Sequence, residues 1–202
     1  GYARVSGSAT YTLDVTLPGM LHAAILRCPH GHALVKKIDV TRALAMPGVV
    51  AVVTGNDKEA TLPWYDEAAK GAQSRLLDRH CRYAGEEVAA VAAETPYQAA
   101  DALREIAVEY DVKPCVVDVD EALKKDAPAV HDGASNLIRE PSLDERGDVA
   151  KGFAEADVVL EQTYRTSVES HAPMEGHGSV AQGEGRQRTV GETTQGGDDR
   201  QG

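Results

Sequence analysis

Apolar residues in the first half of the chain fall into short runs of the kind that form β-strands. Most runs are rich in Val, Ile, Leu and Ala and are bounded by turn residues such as Pro18-Gly19 and Pro47-Gly48, which is typical of strands rather than helices. The predicted strands are Ala9–Val15, Met20–Arg27, Leu34–Val40, Val49–Thr54, Val88–Ala93 and Ala107–Val112. The first two would be joined by a turn.

Helical signals are fewer and shorter. The clearest begins at Thr95-Pro96, where Thr95 is a suitable N-cap, Pro96 suits the first helical position, and Ala99, Ala102, Leu103 and Ile106 form an apolar face. Shorter helices are predicted over Arg42–Met46 with Thr41 as the N-cap, from Asp118 to about Lys125, and over 147–156. Strands and helices alternate irregularly, so an α+β fold is favoured over a doubly wound sheet.

The C-terminal part is less regular. Residues 126–147 carry Pro, Gly, Ser and Asn and are expected to form a linker, after which Asp157–Ser170 is predicted to be one long strand and 178–195 a weak hairpin. The predicted organisation is therefore a domain over 1–125, a linker over 126–147 and a partial β-rich segment over 148–202.

Charge and cysteine usage narrow the function classes. The net charge is −11 and the sequence pI is about 5.0, which argues against nucleic acid and anionic membranes as partners. No apolar run approaches the roughly 20 residues of a membrane span, and a cytoplasmic protein is expected. The three cysteines, Cys28, Cys81 and Cys115, have no CxxC spacing, so reduced and mostly buried thiols are expected.

Two histidine-containing segments and one basic patch are candidate sites. His30 and His32 would point to the same side of a strand and could share a metal, although a turn after Pro29 explains them better. The segment containing His171, Glu175 and His177 lacks the HExxH spacing of a zinc site. The basic patch consists of Arg79, His80 and Arg82, for which a solvated loop is at least as good an explanation as a ligand site.

The order of several short motifs is more specific than any one of them. These are Pro18-Gly19-Met20-Leu21-His22, Pro47-Gly48-Val49, Gly85-Glu86, Val108-Glu109-Tyr110, Gly147-Asp148-Val149 and Met174-Glu175. Together they resemble the opening of the molybdenum-binding large subunit of the xanthine dehydrogenase/aldehyde oxidase family. The resemblance implies an α/β hammerhead domain, a mixed sheet with hairpins and a few short helices, followed by the start of a molybdopterin-binding domain.

The resemblance also implies where the chemistry lies. In that family molybdenum is held by a pterin, and electrons leave through [2Fe–2S] clusters to FAD in partner subunits or domains. Gln195, in Thr193-Thr194-Gln195, matches a family position that contacts an oxygen ligand of the metal, so it is the one cofactor-binding residue expected here. No catalytic residue and no metal ligand of the family has a counterpart in this chain.

We therefore expect the N-terminal portion of a molybdenum-dependent hydroxylase large subunit, with a structural and interface role and no activity alone. Its expected partners are the remaining molybdopterin-binding domains and the iron–sulfur and FAD subunits. The alternative is a stand-alone, non-catalytic binding or scaffolding domain with the hammerhead fold. Purines, aldehydes and N-heterocycles are all substrates in the family, and the sequence does not select among them.

Overall fold

The computed structural model describes residues 2–61, 75–131, 133, 135–137, 142–170, 172, 176–184 and 187–192. The described helices are α1 (Tyr2–Ser6), α2 (Thr41–Leu44), α3 (Pro96–Arg104), α4 (Val119–Ala122) and α5 (Val149–Ala154). The described strands are β1 (His22–Arg27), β2 (Ala33–Asp39), β3 (Val49–Thr54), β4 (His80–Cys81), β5 (Glu87–Ala93), β6 (Ala107–Val112), β7 (Ser179–Glu184) and β8 (Gln187–Glu192). No helix of this described part is long and apolar enough to cross a membrane.

Internal contacts divide the chain into two compact units. The larger unit is Gly19–Leu143, and the smaller one combines Gly1–Pro18 with Asp144–Gly202. The larger unit contains two antiparallel three-stranded sheets, in the orders β1-β5-β3 and β4-β2-β6. Mixed strands and a few short helices confirm the predicted α+β hammerhead architecture.

The core of the larger unit is built from small apolar side chains. One buried cluster consists of Cys28, Ala33, Val35, Cys81 and Val88, and a second consists of Ala43, Ala89, Val91, Ala102 and Ile106. Ala99 and Ala102 of α3 are fully buried, because this helix lies against the β1-β5-β3 sheet. Alanines at these positions let the helix approach the sheet closely, which suits a chain with a single Phe.

The smaller unit has no comparable core among its described residues. Every buried residue that the structure describes lies in the larger unit, and each described side chain of the smaller unit is at least partly exposed. Its only described sheet is the hairpin of β7 and β8, which confirms the hairpin predicted over 178–195. Such a unit buries little apolar surface to offset the entropy of ordering its backbone.

Most of the predicted elements of the larger unit are confirmed. The Thr95 side chain accepts a hydrogen bond from the Gln98 backbone N–H, with Pro96 in the first turn of α3. Asp118 and Asp148 likewise cap α4 and α5 through their carboxylates. Thr41 as an N-cap is wrong, because α2 begins at Thr41 and its N-cap is Val40, while the Asp39 carboxylate accepts the Thr41 N–H.

Two predicted strands are also wrong. Ala9–Val15 contains a 3-10 turn at Thr12–Asp14, because the Asp14 carboxylate accepts the Tyr11 backbone N–H at 2.8 Å and closes the turn. Asp157–Ser170 is in neither helix nor strand, and its residues are exposed. A strand requires a neighbour for its backbone hydrogen bonds, and no described segment pairs with this one. The domain limits 1–125, 126–147 and 148–202 stay a prediction.

Candidate functional site

The most distinctive side-chain cluster of the larger unit joins two histidines that are far apart in sequence. His32 immediately precedes β2 and His80 begins β4, and the pairing of Ala33 with Cys81 brings these strand ends together. Their Nε2 atoms lie 2.7 Å apart, with ring centroids 5.0 Å apart and ring planes inclined by 23°. His32 is buried, and its Nδ1 is 3.0 Å from the Pro114 carbonyl oxygen.

These partners determine how the two neutral rings share protons. A carbonyl oxygen only accepts, so Nδ1 of His32 carries the proton and donates it to Pro114. Nε2 of neutral His32 therefore accepts, and Nε2 of His80 donates. The contact holds the β1–β2 connection against β4 and against the segment that follows β6. A proton on both Nε2 atoms would place two donors face to face and break the hydrogen bond.

A buried ion-pair network lies next to this contact. The Arg82 guanidinium is 3.0 Å from the Asp78 carboxylate and 3.4 Å from the Glu86 carboxylate, and its side chain is only 12% exposed. It also donates to the His80 carbonyl, while the Glu86 carboxylate accepts the Arg82 backbone N–H. Arg82 Nε is buried without a hydrogen-bond partner among the described residues. The network therefore stabilises a turn but leaves one buried donor unsatisfied, which lowers its net contribution to stability.

The two carboxylates of this network respond differently to burial. Burial alone raises the pKa of Asp78, but hydrogen bonds from the His80 backbone N–H and from Arg82, together with the Arg82 charge, outweigh it and leave that pKa lowered. Burial also raises the pKa of Glu86, and there the Arg82 contacts do not compensate. Asp78 is thus stabilised as an anion, whereas Glu86 is an anion at some cost.

Cys28 and Cys81 form a buried thiol pair in the same region. Both are nearly inaccessible and belong to one core cluster. Burial, and then the neighbouring Cys28, raise the pKa of Cys81, and burial raises the pKa of nearby Tyr110 to about 12. Thiolates are the reactive form of cysteine, so this pair is a structural feature and not a nucleophile. Cys115 is exposed.

The candidate residues proposed from sequence are thereby reassigned. His30 packs edge-on against Tyr110 while His32 contacts His80, so the two histidines do not face a common point. Arg79 donates to the carbonyls of Val35 and Lys36, and Arg82 is ion-paired. Arg79 is exposed, whereas His80 and Arg82 are half-buried. The predicted patch is therefore partly solvated, and its half-buried members are bonded to neighbouring groups.

The metal-ligand chemistry of the described residues is limited. No group of three or more His, Cys, Asp or Glu side chains within them is arranged to hold a metal ion. Gln195 lies outside the described residues, as do His171 and Glu175, while His177 is exposed. A surface cavity of about 500 Å³ near Cys115 is lined by Asp118, Glu121 and Asp126, and Lys124 pairs with Glu121 at 2.6 Å.

Sequence reasoning missed the His32–His80 contact although it singled out both segments. The two residues are 48 positions apart, and β4, which brings them together, has only two residues. A strand that short carries no periodic signal.

Comparison of the sequence with models of known protein families identifies the family. Residues 6–114 match the model described as "Aldehyde oxidase and xanthine dehydrogenase, a/b hammerhead domain". The chain belongs to this aldehyde oxidase and xanthine dehydrogenase family. Residues 130–201 match the model of a molybdopterin cofactor-binding domain, so the family predicted from the motif order is confirmed, and molybdopterin is the cofactor of that family.

Individual proteins with similar sequences support the same family. The chain is 43% identical over 129 residues to the carbon monoxide dehydrogenase large chain of Hydrogenophaga pseudoflava, covering 63% of this chain and 16% of that protein. It is 35% identical over 183 residues to a probable xanthine dehydrogenase subunit from Bacillus subtilis, covering 90% of this chain and 24% of that protein. The chain therefore spans a quarter or less of these relatives.

Solved structures of related enzymes align with this chain. The aldehyde oxidoreductase of Desulfovibrio gigas aligns with a TM-score of 0.69 at 28% identity, over 77% of this chain and 18% of that one. The carbon monoxide dehydrogenase of Oligotropha carboxidovorans aligns with a TM-score of 0.57 at 38% identity, over 63% of this chain and 16% of that one. The similarity thus extends to three-dimensional structure.

Proposed function

We propose that this chain is the N-terminal portion of the large subunit of a molybdenum-dependent hydroxylase, in which its role is structural. It would pack against the cofactor-bearing domains, line part of the substrate channel and contribute to a subunit interface. The observation that carries the proposal is the order of the two family models, a hammerhead match at 6–114 followed by a cofactor-domain match at 130–201. The whole enzyme would work in the cytoplasm.

A structural role agrees with the chemistry of the described residues. The clustered polar groups of the larger unit, His32, His80, Asp78, Arg82 and Glu86, bond to one another and to backbone. None of them is arranged to bind a metal in the described part. Their contacts would instead keep the hammerhead domain rigid against its neighbours.

We further propose that this chain alone retains no molybdopterin. Gln195 is its one residue matching a cofactor-contacting family position, and a single hydrogen bond contributes only about 0.5–1.5 kcal/mol net. Even millimolar affinity requires about 4 kcal/mol. In the complete assembly the pterin would be held by the remaining cofactor domains, and iron–sulfur clusters and FAD would be carried by partner subunits or domains.

The second candidate is a stand-alone binding or scaffolding domain. It is favoured by one observation, the two buried clusters that give the larger unit a core of its own. It predicts that the purified chain is monodisperse and binds little of a dye that detects exposed apolar surface, whereas a portion of a larger subunit should bind such a dye strongly.

A hybrid protein tests the proposed function directly. This chain would replace the matching part of the probable xanthine dehydrogenase subunit from Bacillus subtilis, and the hybrid would be purified from a host that makes the pterin cofactor. We expect it to retain molybdenum as the unmodified relative does. Loss of molybdenum from the hybrid, together with a monodisperse isolated chain that binds no dye, would favour the scaffolding alternative.

A further inference from the structure

The segment 157–170 has the pattern of an amphipathic strand but no strand to pair with among the described residues. Four of the even-numbered positions are apolar, namely Val158, Leu160, Tyr164 and Val168, and the other three are the uncharged Gln162, Thr166 and Ser170. The odd-numbered positions are polar apart from Val159: Asp157, Glu161, Thr163, Arg165, Ser167 and Glu169. Because successive side chains of an extended chain point to opposite faces, the segment when extended has one uncharged, mainly apolar face, called the apolar face below, and one mainly charged and polar face.

The apolar face is almost completely exposed to solvent. The exposed fractions are 75% for Val158, 85% for Leu160, 83% for Tyr164 and 99% for Val168. The described part of the smaller unit buries no side chain, so nothing within it covers this face. Exposed apolar rows of this kind mark surfaces that another polypeptide covers.

We propose that residues 157–170 form a β-strand by pairing with a strand from the remaining part of the molybdopterin cofactor-binding domain, with the apolar face turned into that domain's core. This inference rests on the proposed function. The segment lies inside the range 130–201 that matches this domain, and the chain spans only 24% of a relative that aligns with 90% of it. The rest of that relative's length can supply the strand.

This pairing accounts for two features together. The backbone N–H and C=O groups of the segment, which form no ladder within the described residues, would gain partners in the way of β-strand addition. The unit whose described residues include no buried side chain would gain an interior. A second copy of this chain is the competing occupant, and it would make the pairing depend on protein concentration.

Amide hydrogen exchange tests the inference. Exchange at 157–170 would be measured in the isolated chain at two concentrations and in the Bacillus subtilis hybrid. We expect rapid exchange in the isolated chain at both concentrations, and exchange slowed by about 100-fold or more in the hybrid, because hydrogen-bonded strand amides are protected. Unprotected amides in the hybrid would overturn the inference. Protection in the isolated chain that rises with concentration would overturn it in favour of self-pairing.

Two matched variants of the hybrid separate the faces. Leu160→Lys places a charge on the apolar face, and Glu161→Lys places the same charge on the polar face one position along. We expect Leu160→Lys to lose at least about tenfold in protection and Glu161→Lys to change it by less than about twofold. Equal effects of the two variants would contradict an amphipathic strand.

Molybdenum content keeps this test distinct from that of the proposed function. A hybrid that retains molybdenum but exchanges freely at 157–170 contradicts the strand alone. A hybrid that lacks molybdenum contradicts the proposed function, while its exchange at 157–170 still decides for or against the strand.

Discussion

The Nε2 atoms of His32 and His80 lie 2.7 Å apart, and in a pair of neutral rings they share one proton, because the Pro114 carbonyl requires the proton of His32 on Nδ1. This contact ties the connection after β1 to the short strand β4. It lies beside the Asp78–Arg82–Glu86 network, whose ion pairs and hydrogen bonds connect residues within the stretch 78–86. The hammerhead core is therefore held by a polar cluster as well as by its small apolar side chains.

Removing one imidazole of the pair should destabilise the chain. We expect His32→Ala to lower the free energy of unfolding by about 1–3 kcal/mol, because it removes a buried ring together with its hydrogen bonds to Pro114 and His80. His177→Ala, at an exposed histidine, is the control and should change it by less than about 0.5 kcal/mol. Urea unfolding followed by circular dichroism gives both values, and equal effects would show that the pair contributes nothing.

The ion-pair network predicts a specific pH dependence. The folded pKa of Asp78 is lowered, so its contribution is present above its ordinary pKa of about 3.9 and is lost as the pH falls through the folded value. The folded pKa of Glu86 is raised, which has the opposite sign: its protonated form is the one that folding favours.

Two isosteric variants separate these carboxylates. Asp78→Asn should be the more destabilising at pH 7 and should flatten the loss of stability on acidification below about pH 4. Glu86→Gln should cost less at pH 7, because it removes an anion that burial disfavours. Unfolding midpoints measured from pH 7 to pH 3 check both, and a larger cost for Glu86→Gln at pH 7 would contradict the assigned directions.

The cysteines should differ sharply in reactivity. Cys115 is exposed, whereas Cys28 and Cys81 are buried and the pKa of Cys81 is raised. A thiol-reactive chromogenic disulfide should therefore modify one thiol quickly in the native chain and the other two only upon unfolding. Cys115→Ser should abolish the fast reaction. Fast modification that persists in this variant would show that the buried pair is accessible.

Thr95 and Thr41 allow a matched test of helix capping, because Thr95 is the N-cap of α3 whereas Thr41 is the first residue of α2. Thr95→Ala removes a side chain that accepts the Gln98 N–H and should cost about 1 kcal/mol. Thr41→Ala should cost less than about 0.5 kcal/mol, since the N-cap of α2 is Val40 and no side-chain capping bond is present there. Thermal unfolding distinguishes them, and an equal cost would mean that Thr41 supports its helix after all.

Elements whose signals lie within one short stretch of sequence were predicted, whereas elements that depend on a distant partner were not. Thr95-Pro96 and the run Val49–Thr54 carry their own signals, a capping pattern and a continuous apolar stretch, and both correspond to observed elements. Asp157–Ser170 carries an equally good strand pattern, yet a strand forms only where a second strand pairs with it. Pattern alone does not show whether that partner is within the same chain.

The candidate site was less predictable because its members are distant in sequence. His32, His80 and Pro114 meet only after β2 has paired with β4 and β6. The family was nevertheless recognisable from the order of short motifs, because each motif is a local stretch of sequence that can be read without knowing its long-range contacts. Gln195, the one cofactor-contacting residue that the resemblance implies, stays a prediction.

The most direct test of the account is the molybdenum content of the isolated chain, purified from a host that makes the pterin cofactor and compared with the Bacillus subtilis hybrid prepared in parallel. We predict that the hybrid carries molybdenum in proportion to protein and that the isolated chain carries none above background, because under the proposed function the pterin would be held by the remaining cofactor domains. Stoichiometric molybdenum on the isolated 202-residue chain would contradict it.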